Sequence, residues 1–481
     1  MASFPFVLPA HSGHNQVELV YDGQQLNLNG FAPGGESIKT HEILNITIEH
    51  INNIKIATCS PKAGPKSESI LKFYHFEISD SHRAAEWAKS VLDHVYKGIK
   101  RFRHFKVIVN PFGGTGKAKR MWEHQAATIF TAAGCTYDLT FTSHQGHATE
   151  IARDLKTDIY DGIITVSGDG VVHEVINGLM QRPDAHRAHH IPLSPLPGGS
   201  GNAICYTING QDYGGFIGNT ALSAIKGRAM LADLCSVTQG SKRVFSFLSQ
   251  TFGMIADSDL GTEHLRWMGT ARFTYMAIQR MLQKSSYNYE VSYIPAEMDK
   301  AKIIQNYRDI VQRHPPQWAD EAAKNGNGGG DEMDRRADHQ IIDRYGSATS
   351  PLKPEDGWVT ERGPLRTIAC SKMPLLAHDS MTHPLAVAND GLLDVLVFND
   401  TIGSMDGIAA LLGVEKGSHV SRDDVRYFKV KAIRITPLDS HGFISIDGEH
   451  FDWAPVQSEV HHGLISILST TGRWTETQFS K

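Results

Sequence analysis

Three glycine-rich segments between residues 110 and 202 hold the residues best suited to chemistry. The segments are Asn110–Lys117, Ser167–Gly178 and Pro197–Asn202. Each follows an apolar stretch of strand character, and the first two lead into a helical pattern. Repeated strand, glycine turn and helix bring backbone N–H groups and helix N-termini to one edge of an open sheet, where they attract phosphate. The pattern predicts a nucleotide-dependent phosphotransferase.

The second segment is the most specific, because it places a carboxylate between two glycines. Gly168 and Gly170 flank Asp169, so a substrate can approach the backbone closely there. Asp169 could act as a general base on an attacking hydroxyl, a role that contributes roughly 10²–10⁴-fold to the rate. A structural alternative is that Asp169 only caps the following helix. Glu174 and Asn177 are three residues apart, which predicts that they share one helical face.

The first and third segments are less specific. The first is not a P-loop, because Pro111 and Ala118 replace the first Gly and the Ser or Thr of that pattern. A tight turn between strand and helix is the alternative, although Asn110 and Pro111 before the glycines favour a ligand role. In the third segment, three glycines surround Ser200. Taken alone it is equally well interpreted as a plain loop or as the lining of a phosphate or adenosine site.

An α/β unit over residues 101–243 would position these turns. Its predicted strands are Phe105–Val109, Tyr137–Thr142 and Gly162–Val166, and its predicted helices are Ala118–Ala133 and His147–Leu155. Alternation of strands and helices implies parallel strands with right-handed crossovers.

The two units that flank the α/β unit show a different pattern of predicted strands and helices. Residues 1–100 show alternating strands and then an amphipathic helix, Ala84–Lys97. This pattern suits a small docking module of pleckstrin type, or an extension that only packs against the next domain. Residues 244–481 contain short strands separated by turns, which predicts a β-sandwich interrupted by one helix, Arg272–Leu282. The glycine-rich, charged stretch at about 310–350 predicts a disordered insertion.

Two further candidate sites lie in the predicted β domain. The segment Phe252–Asp259 ends in two carboxylates and is followed by Arg266 and Arg272. Arginines there could hold anionic oxygens in a bidentate manner, and a solvated charge cluster is the alternative. The sequence Ile446–Glu449 is, on its own, a hairpin turn.

Composition excludes several classes of protein. The chain has 481 residues, 41% hydrophobic content, 21% charged content and a net charge of -5, so no basic field indicates a nucleic-acid partner. Five cysteines contain no Cys-x-x-Cys pair, and the 25 histidines form no zinc pattern. We expect a cytoplasmic protein without a signal peptide or membrane span, whose membrane contact is peripheral.

Taken together, the segments resemble the sphingosine, or sphingoid long-chain-base, kinases. These belong to a lipid-kinase superfamily that also contains diacylglycerol and ceramide kinases. The resemblance covers about residues 104–282 and 365–470. Asp169-Gly170 with Glu174 is shared across the superfamily. A further block looks like the form that sphingosine kinases carry; it consists of Ile255–Asp259, Arg266–Gly269 and Arg272–Thr274. The last matching block consists of Asp390–Asp394 and Asp447–Glu449.

The resemblance implies an N-terminal α/β nucleotide domain and a C-terminal β-sandwich lipid domain, with ATP and Mg²⁺ in the cleft between them. It implies that Asp169 is the catalytic base on the primary hydroxyl and that Asp259 holds the amino or secondary hydroxyl group of the lipid. Metal ligands stay unassigned. The implied substrate-side residues are Ser167, Gly168, Asp169, Gly170 and Asp259. The implied nucleotide-side residues are Asn110, Pro111, Phe112, Gly113, Gly114, Thr142, Gly146, Glu174, Gly199, Ser200, Gly201, Arg266, Arg272, Asp447, Gly448 and Glu449. Phe112 departs from the family, since many members carry a basic residue there.

The implied substrate, a long-chain base, also bears on partners, because such a lipid partitions into bilayers. The basic, apolar stretch around Phe273, Tyr275 and Arg280 could touch a membrane or bind calmodulin or another regulatory protein. A buried helix is the simpler interpretation. Two other functions stay open: a ceramide or diacylglycerol kinase, and a non-catalytic lipid-binding protein on the same fold. Asp259 discriminates between the kinases, because a carboxylate suits the cationic amine of a sphingoid base.

Overall fold

A computed structural model describes residues 4–50, 52–62, 67–114, 116–261, 271–313 and 341–481. Three units follow one another along the chain: an antiparallel β module closed by a helix, an α/β unit, and a mainly antiparallel unit covered by helices.

The N-terminal module is one antiparallel sheet of seven strands with the order β4-β3-β2-β1-β7-β6-β5. Its elements are β1 (Phe6–Ser12), β2 (Asn15–Tyr21), β3 (Gln25–Asn29), β4 (Glu36–Lys39), β5 (Ile43–Glu49), β6 (Asn53–Pro61), β7 (Ser69–Glu77) and helix α1 (Ser81–Val95). Asp80 caps α1 by accepting a hydrogen bond from the Arg83 N–H at 3.0 Å. The apolar face of α1, with Trp87 and Val91, packs into the core of the sheet.

The same module shares a hydrophobic core with the α/β unit. Leu44, Ala57 and Cys59 of its sheet lie in one buried cluster with Phe105 and Phe130. Burial of these side chains stabilises both units, since apolar area removed from water contributes about 25 cal/mol per Å². The module is therefore packed against the next unit, and a docking role stays a prediction.

The α/β unit has parallel strands in the order β11-β10-β8-β9, which confirms the predicted parallel pairing. Its elements are β8 (His104–Val109), α2 (Ala118–Met121), α3 (Ala127–Ala132), β9 (Thr136–Phe141), α4 (His147–Arg153), β10 (Gly162–Ser167), α5 (Asp169–Met180), α6 (Ala185–Ala188), β11 (Leu193–Pro197), α7 (Ala203–Asn209) and α8 (Ile217–Lys226). Because the strands are parallel, their carboxyl ends and the glycine turns lie at one edge.

Within the sheet that continues from the α/β unit, antiparallel pairing begins at β12. The domain boundary predicted at residue 243 therefore falls inside β13, after this change. The remaining strands are β12 (Arg228–Gln239), β13 (Lys242–Ser246), β14 (Ser249–Gly253), β15 (Tyr287–Glu297), β16 (Val359–Ser371), β17 (Leu393–Asn399), β18 (Val425–Pro437), β19 (Ile444–Ile446), β20 (Glu449–Phe451) and β21 (Val456–Ser469). Strand β21 pairs with β12 and meets β11 at Leu193 and Ile467, so the two units form one continuous 14-stranded sheet.

Helices cover the third unit more extensively than the sequence predicts. They are α9 (Met254–Leu260), α10 (Ala271–Leu282), α11 (Lys300–Arg313) and α12 (Ser404–Gly413). Only α10 matches a predicted helix. The apolar run from Phe252 to Ala256 conceals the change from β14 to α9, because periodicity does not resolve so short a segment. Met254, Met281 and Ala410 from three of these helices share one buried cluster.

The disordered insertion expected at about 310–350 is contradicted at both of its ends. Residues 310–313 belong to α11, whose apolar positions Ile303 and Tyr307 are buried. On the other side, the Glu459 carboxylate accepts hydrogen bonds from the Arg344 and Tyr345 N–H groups at 2.8 and 2.9 Å. Those contacts hold residues 341–350 against β21. Residues 314–340 lie outside the described part of the chain.

Candidate active site

The three glycine turns meet at the carboxyl edge of the parallel strands. A Cβ atom at Gly199 would lie 2.3 Å from the Gly168 Cα atom, and one at Gly114 would lie 2.7 Å from the Gly199 carbonyl carbon. Gly114 also has a φ of +58°, in the left-handed region. Only glycine permits such close approach of three backbones, so the turns predicted from the sequence form one surface.

Two asparagines shape these turns from within. Asn110 Oδ1 accepts hydrogen bonds from the Phe112 and Gly113 N–H groups at 2.9 and 3.1 Å. Asn202 Oδ1 accepts from the Gly198 and Gly199 N–H groups, both at 3.2 Å. Asn110 forms an Asx turn, whereas Asn202 bonds back to the turn that precedes it, and both side chains fix the backbone without a β-ladder. Asn202, which the sequence analysis left without a role, is thus an organiser of the third turn.

Asp169 is the first residue of α5, and its side chain lies against the start of α7. Its carboxylate accepts hydrogen bonds from the Ala203 N–H at 2.8 Å and the Ile204 N–H at 3.3 Å. The Asp169 N–H donates to the Gly201 carbonyl oxygen at 3.2 Å. Asp169 does cap a helix, as the structural alternative had it, but the helix is α7 rather than its own. The contacts hold the carboxylate fixed where the second and third turns meet.

Burial makes Asp169 a stronger proton acceptor than an ordinary aspartate. Desolvation raises its pKa to about 6, although the two backbone N–H groups act in the opposite direction. The negative charge of Asp447 adds to the rise. A carboxylate with a pKa just below neutral is ionised at pH 7 and takes up a proton readily, which suits a general base.

Glu174 and Asn177, predicted to share one helical face, contact different elements. The Glu174 carboxylate accepts hydrogen bonds from the Gly146 and Ala148 N–H groups, both at 3.0 Å, and so caps α4. Asn177 exchanges two hydrogen bonds with the backbone of Phe245, at 2.8 and 2.9 Å. Helix α5 is wedged between α4 and β13, so side chains on both of its flanks have partners.

His173 connects the α/β unit to the third unit, and the sequence analysis assigned it no role. Its Nδ1 atom lies 2.9 Å from Asp447 Oδ2, and both side chains are buried. Burial opposes protonation of His173, but the hydrogen bond and charge of Asp447 outweigh it and raise the pKa. His173 and Asn177, spaced i, i+4, are also hydrogen-bonded at 3.2 Å, but this local spacing does not reveal the contact with Asp447.

In the third unit, Asp447 makes most of the contacts near His173. Besides His173, it accepts hydrogen bonds from the Ser246 hydroxyl and from three backbone N–H groups between 247 and 249, at 2.7 to 3.1 Å. Asp447 itself has a φ of 52°. With its oxygens occupied in this way, Asp447 organises the edge of the sheet. Beside it, Glu449 lies next to the α/β unit, accepting a hydrogen bond from Gln145 at 3.1 Å.

Most of the predicted site residues lie near the carboxyl edge of the parallel strands. Pro111 and Phe112 lie on the first turn, where Phe112 is 74% exposed, and Thr142 and Gly146 lie between β9 and α4. Arg266 lies outside the described residues. Asp259 lies in α9, and Arg272 lies in the first turn of α10. Within the described ranges, no group of three or more His, Cys, Asp or Glu residues could hold a metal ion.

Family models match both large units. A model of the diacylglycerol kinase catalytic domain matches residues 104–237. A model of the YegS C-terminal NAD kinase beta sandwich-like domain matches residues 356–469. A solved structure of a Bacillus anthracis protein, provisionally described as a diacylglycerol kinase, covers 77% of this chain with a TM-score of 0.51 and 17% identity. The fold and the glycine-turn site thus define a kinase of the diacylglycerol kinase type.

Relatives of higher identity define the family. Sphingoid long chain base kinase 4 of Schizosaccharomyces pombe is 32% identical over 80% of this chain and 79% of its own length. Sphingoid long chain base kinase 5 of Saccharomyces cerevisiae is 33% identical over 83% of this chain, and the match spans 64% of that relative. Human sphingosine kinase 2 is 28% identical over 76% of this chain and 70% of its own length. The chain belongs to the family of sphingoid long-chain-base kinases.

Proposed function

We propose that this protein transfers the γ-phosphoryl group of ATP to the primary hydroxyl of a sphingoid long-chain base. The observation that carries the proposal is Asp169, a buried carboxylate of raised pKa held at the junction of three glycine turns. The kinases to which the chain is related are named for sphingoid bases. The products would be sphingosine 1-phosphate or its dihydro or phyto analogue.

Asp169 acts as the base in this proposal. Its carboxylate accepts the proton of the lipid hydroxyl as the oxygen attacks the γ-phosphorus, and the bond from phosphorus to the β-γ bridging oxygen breaks. Hydrogen bonds from Ala203 and Ile204 hold the carboxylate in place without neutralising it. Little other covalent chemistry is required from the protein, because positioning and charge stabilisation account for most of phosphoryl transfer.

The phosphates would be held by the glycine turns. Helix α5 has 12 residues and starts at this edge, and its N-cap, Gly168, has no capping side chain among the described residues. The Asp169 N–H donates to Gly201, but the N–H groups that follow it and the positive dipole end are suited to an anion. Gly113, Gly114 and Gly199 to Gly201 line the same surface, and Arg266 and Arg272 would add positive charge from the third unit.

Mg²⁺ would enter bound to the ATP phosphates. Magnesium is commonly held by one or two carboxylates together with substrate phosphates rather than by a protein cage. The donor set is compatible with that mode, since the described residues contain no group of three or more His, Cys, Asp or Glu side chains that would form a protein cage. The ion would neutralise charge on the phosphates.

The direct test is transfer of labelled phosphate from ATP to D-erythro-sphingosine, with ceramide and diacylglycerol assayed in parallel. We expect label on sphingosine. Asp169→Asn should lower kcat by about 10²–10⁴-fold, because the amide keeps the shape but does not accept the proton. ATP binding should persist in the variant, measured by calorimetry.

Each other outcome has a distinct meaning. Label on ceramide or diacylglycerol alone would assign the protein to a sister class, and Asp259→Ala would then leave activity on the preferred lipid unchanged. Absence of label on every lipid, together with absence of ATP binding, would favour the non-catalytic lipid-binding alternative. Full turnover by Asp169→Asn would contradict the base assignment alone.

The proposal includes contact with a bilayer surface through α10 and α12. Each helix exposes two large apolar side chains seven residues apart, and thus on one face: Tyr275 and Leu282 on α10, Met405 and Leu412 on α12. The two helices pack together, since a Cβ at Gly407 would lie 2.4 Å from Met281 Sδ. No described helix is long and apolar enough to cross a membrane. Peripheral contact would give the site access to a bilayer-dissolved lipid.

Sedimentation with phosphatidylcholine and phosphatidylserine vesicles tests this contact. We expect Met405→Gln with Leu412→Gln to reduce the bound fraction several-fold while leaving turnover of detergent-dispersed sphingosine intact. Calmodulin would have to extract Met281, which is fully buried, so α10 is a poor calmodulin target in the folded protein. Unchanged vesicle binding, or calcium-dependent calmodulin binding to the intact chain, would contradict this part of the proposal.

A further inference from the structure

Helix α9 begins directly after strand β14 and lies against the sheet. Its N-cap is Gly253, whose φ is +75° and where a Cβ atom would lie 2.7 Å from the Arg366 carbonyl oxygen. Glycine is therefore required at this junction. One turn into the helix is Asp257, a carboxylate that is only 3% exposed. The start of α9 is thus fixed by backbone packing, and its first turn is fixed by what Asp257 contacts.

Asp257 joins three elements at one buried point. The Tyr287 hydroxyl of β15 donates a hydrogen bond to Asp257 Oδ2. Arg280 Nε of α10 lies 3.1 Å from the same oxygen. Helices α9 and α10, which flank residues 262–270, are in this way tied to each other and to the sheet.

The tie is costly to the folded state, which indicates a role beyond stability. Asp257 Oδ1 is buried and has no hydrogen-bond partner among the residues that the structure describes, and the same holds for the nearby Tyr289 hydroxyl. Burial raises the pKa of Asp257, although the Tyr287 hydrogen bond and the Arg280 charge oppose the rise. A buried, half-satisfied carboxylate is weak evidence for stability, and local conflicts of this kind concentrate at functional sites.

A second anchor joins the segment after α10 to the segment before α12. Arg366 donates hydrogen bonds to the Ser285 carbonyl oxygen after α10 at 3.4 Å, and to those of Asp400 and Ile402 before α12 at 3.0 and 3.1 Å. The Asp257 tie differs from this anchor, because it joins α9 to α10 and to β15 and so sets the orientation of α9 relative to both.

We infer that Asp257 is a positioning residue that orients α9, and with it position 259, for recognition of the sphingoid-base head group. This inference rests on the proposed function. Asp259 is two residues further along the helix, and a period of 3.6 residues places the two positions on different sides of α9. Asp257 faces β15, so it acts through the helix and does not itself touch the lipid.

Steady-state kinetics with varied dihydrosphingosine and varied ATP test the inference. Asp257→Asn keeps the side-chain volume and an acceptor for Tyr287, but it removes the charge that holds Arg280. We expect its KM for dihydrosphingosine to rise about tenfold, as loss of a coupled contact predicts. The KM for ATP and kcat should change less than about twofold, because the glycine turns and Asp169 lie in the α/β unit.

Two further variants keep the inference falsifiable if Asp257→Asn does not fold. Tyr287→Phe and Arg280→Gln each remove one partner and should raise the same KM by a smaller factor. The double variant Asp257→Asn with Arg280→Gln should be no worse than Asp257→Asn alone, since both lose one ion pair. Glu86→Gln on the exposed face of α1 is the matched control.

The outcomes separate this inference from the proposed function. Absence of transfer to any sphingoid base by the wild type would remove the proposed function. Wild-type transfer with an unchanged KM in Asp257→Asn, Tyr287→Phe and Arg280→Gln would overturn only the positioning role. A fall in kcat that follows the loss of thermal stability, with both KM values unchanged, would likewise show that Asp257 is structural.

Discussion

Asp169 combines two properties that are usually separate. It caps α7 through the Ala203 and Ile204 N–H groups, and burial at the same time raises its pKa to about 6. A carboxylate whose pKa is lowered by capping alone would be a weak base. Here desolvation prevails over the two donors, because the residue lies at the base of the glycine turns with little access to water.

A pH profile of activity follows from this pKa. The rate should fall as the pH drops through about 6, because protonated Asp169 no longer accepts a proton from the lipid hydroxyl. Measurement of kcat between pH 5 and 8 at saturating substrates checks the prediction. An ordinary carboxylate would keep full activity down to about pH 4. A kcat that stays constant between pH 5 and 7 would therefore contradict either the raised pKa of Asp169 or its role as the base.

At the scale of elements, α5 is the piece that relates the two large units. Its first residue is Asp169, its middle residues His173 and Asn177 contact Asp447 and the backbone of β13, and Glu174 caps α4. One rigid helix thus sets where the base lies relative to the third unit. A change in the contact between His173 and Asp447 would displace the reacting groups without touching them.

Replacing His173 tests this relation. His173→Gln should lower the free energy of unfolding by about 1–3 kcal/mol and no more, because Asp447 keeps four other donors. Its KM for both substrates should rise, since the units lose a fixed contact at the cleft. Urea unfolding and kinetics at pH 6 measure the two effects.

The pH dependence of that stability has a definite sign. The pKa of His173 is raised above its ordinary value of 6.5, so the contribution is complete below that value and is lost as the pH rises through the folded-state pKa. We expect the stability difference between wild type and His173→Gln to shrink as the pH is raised from 6 into the alkaline range. A difference that grows with pH would indicate that His173 is neutral in the folded protein.

Considered as a whole molecule, the N-terminal module is part of the kinase core. Leu44, Ala57 and Cys59 lie in one buried cluster with Phe105 and Phe130, and a Cβ at Gly218 of α8 would lie 1.9 Å from the Ser69 carbonyl oxygen. A docking role of pleckstrin type stays a proposal for its remaining surface. The shared cluster shows that the module packs against the α/β unit.

A single substitution distinguishes support from docking. Leu44→Ala should destabilise the protein by about 2–5 kcal/mol, because it leaves a cavity in the shared core. Kinase activity on detergent-dispersed lipid should be lost at a lower temperature in this variant. Phe73→Ala, at an exposed position of β7, is the control and should not change the inactivation temperature. Equal inactivation temperatures for Leu44→Ala and wild type would mean that the module only docks.

By itself, the sequence determined what depends on local pattern. The glycine turns, the parallel strands and the carboxylate between Gly168 and Gly170 follow from periodicity and from the conformational freedom of glycine, which short segments reveal. The family likewise follows from motifs in chain order. Asp169, Gly114 and Gly199 were predicted as site residues, and the structure brings them together.

Tertiary structure alone decided which partner each polar side chain has. Glu174 and Asn177, predicted on one face, contact α4 and β13 because α5 is packed on both flanks. The contacts of His173 and Asp257 join residues 274 and 30 positions apart, so no local pattern carries them. The pKa of Asp169 also depends on burial by distant segments. Desolvation and long-range hydrogen bonds are properties of the packed molecule, and they decide how the residues of the site act.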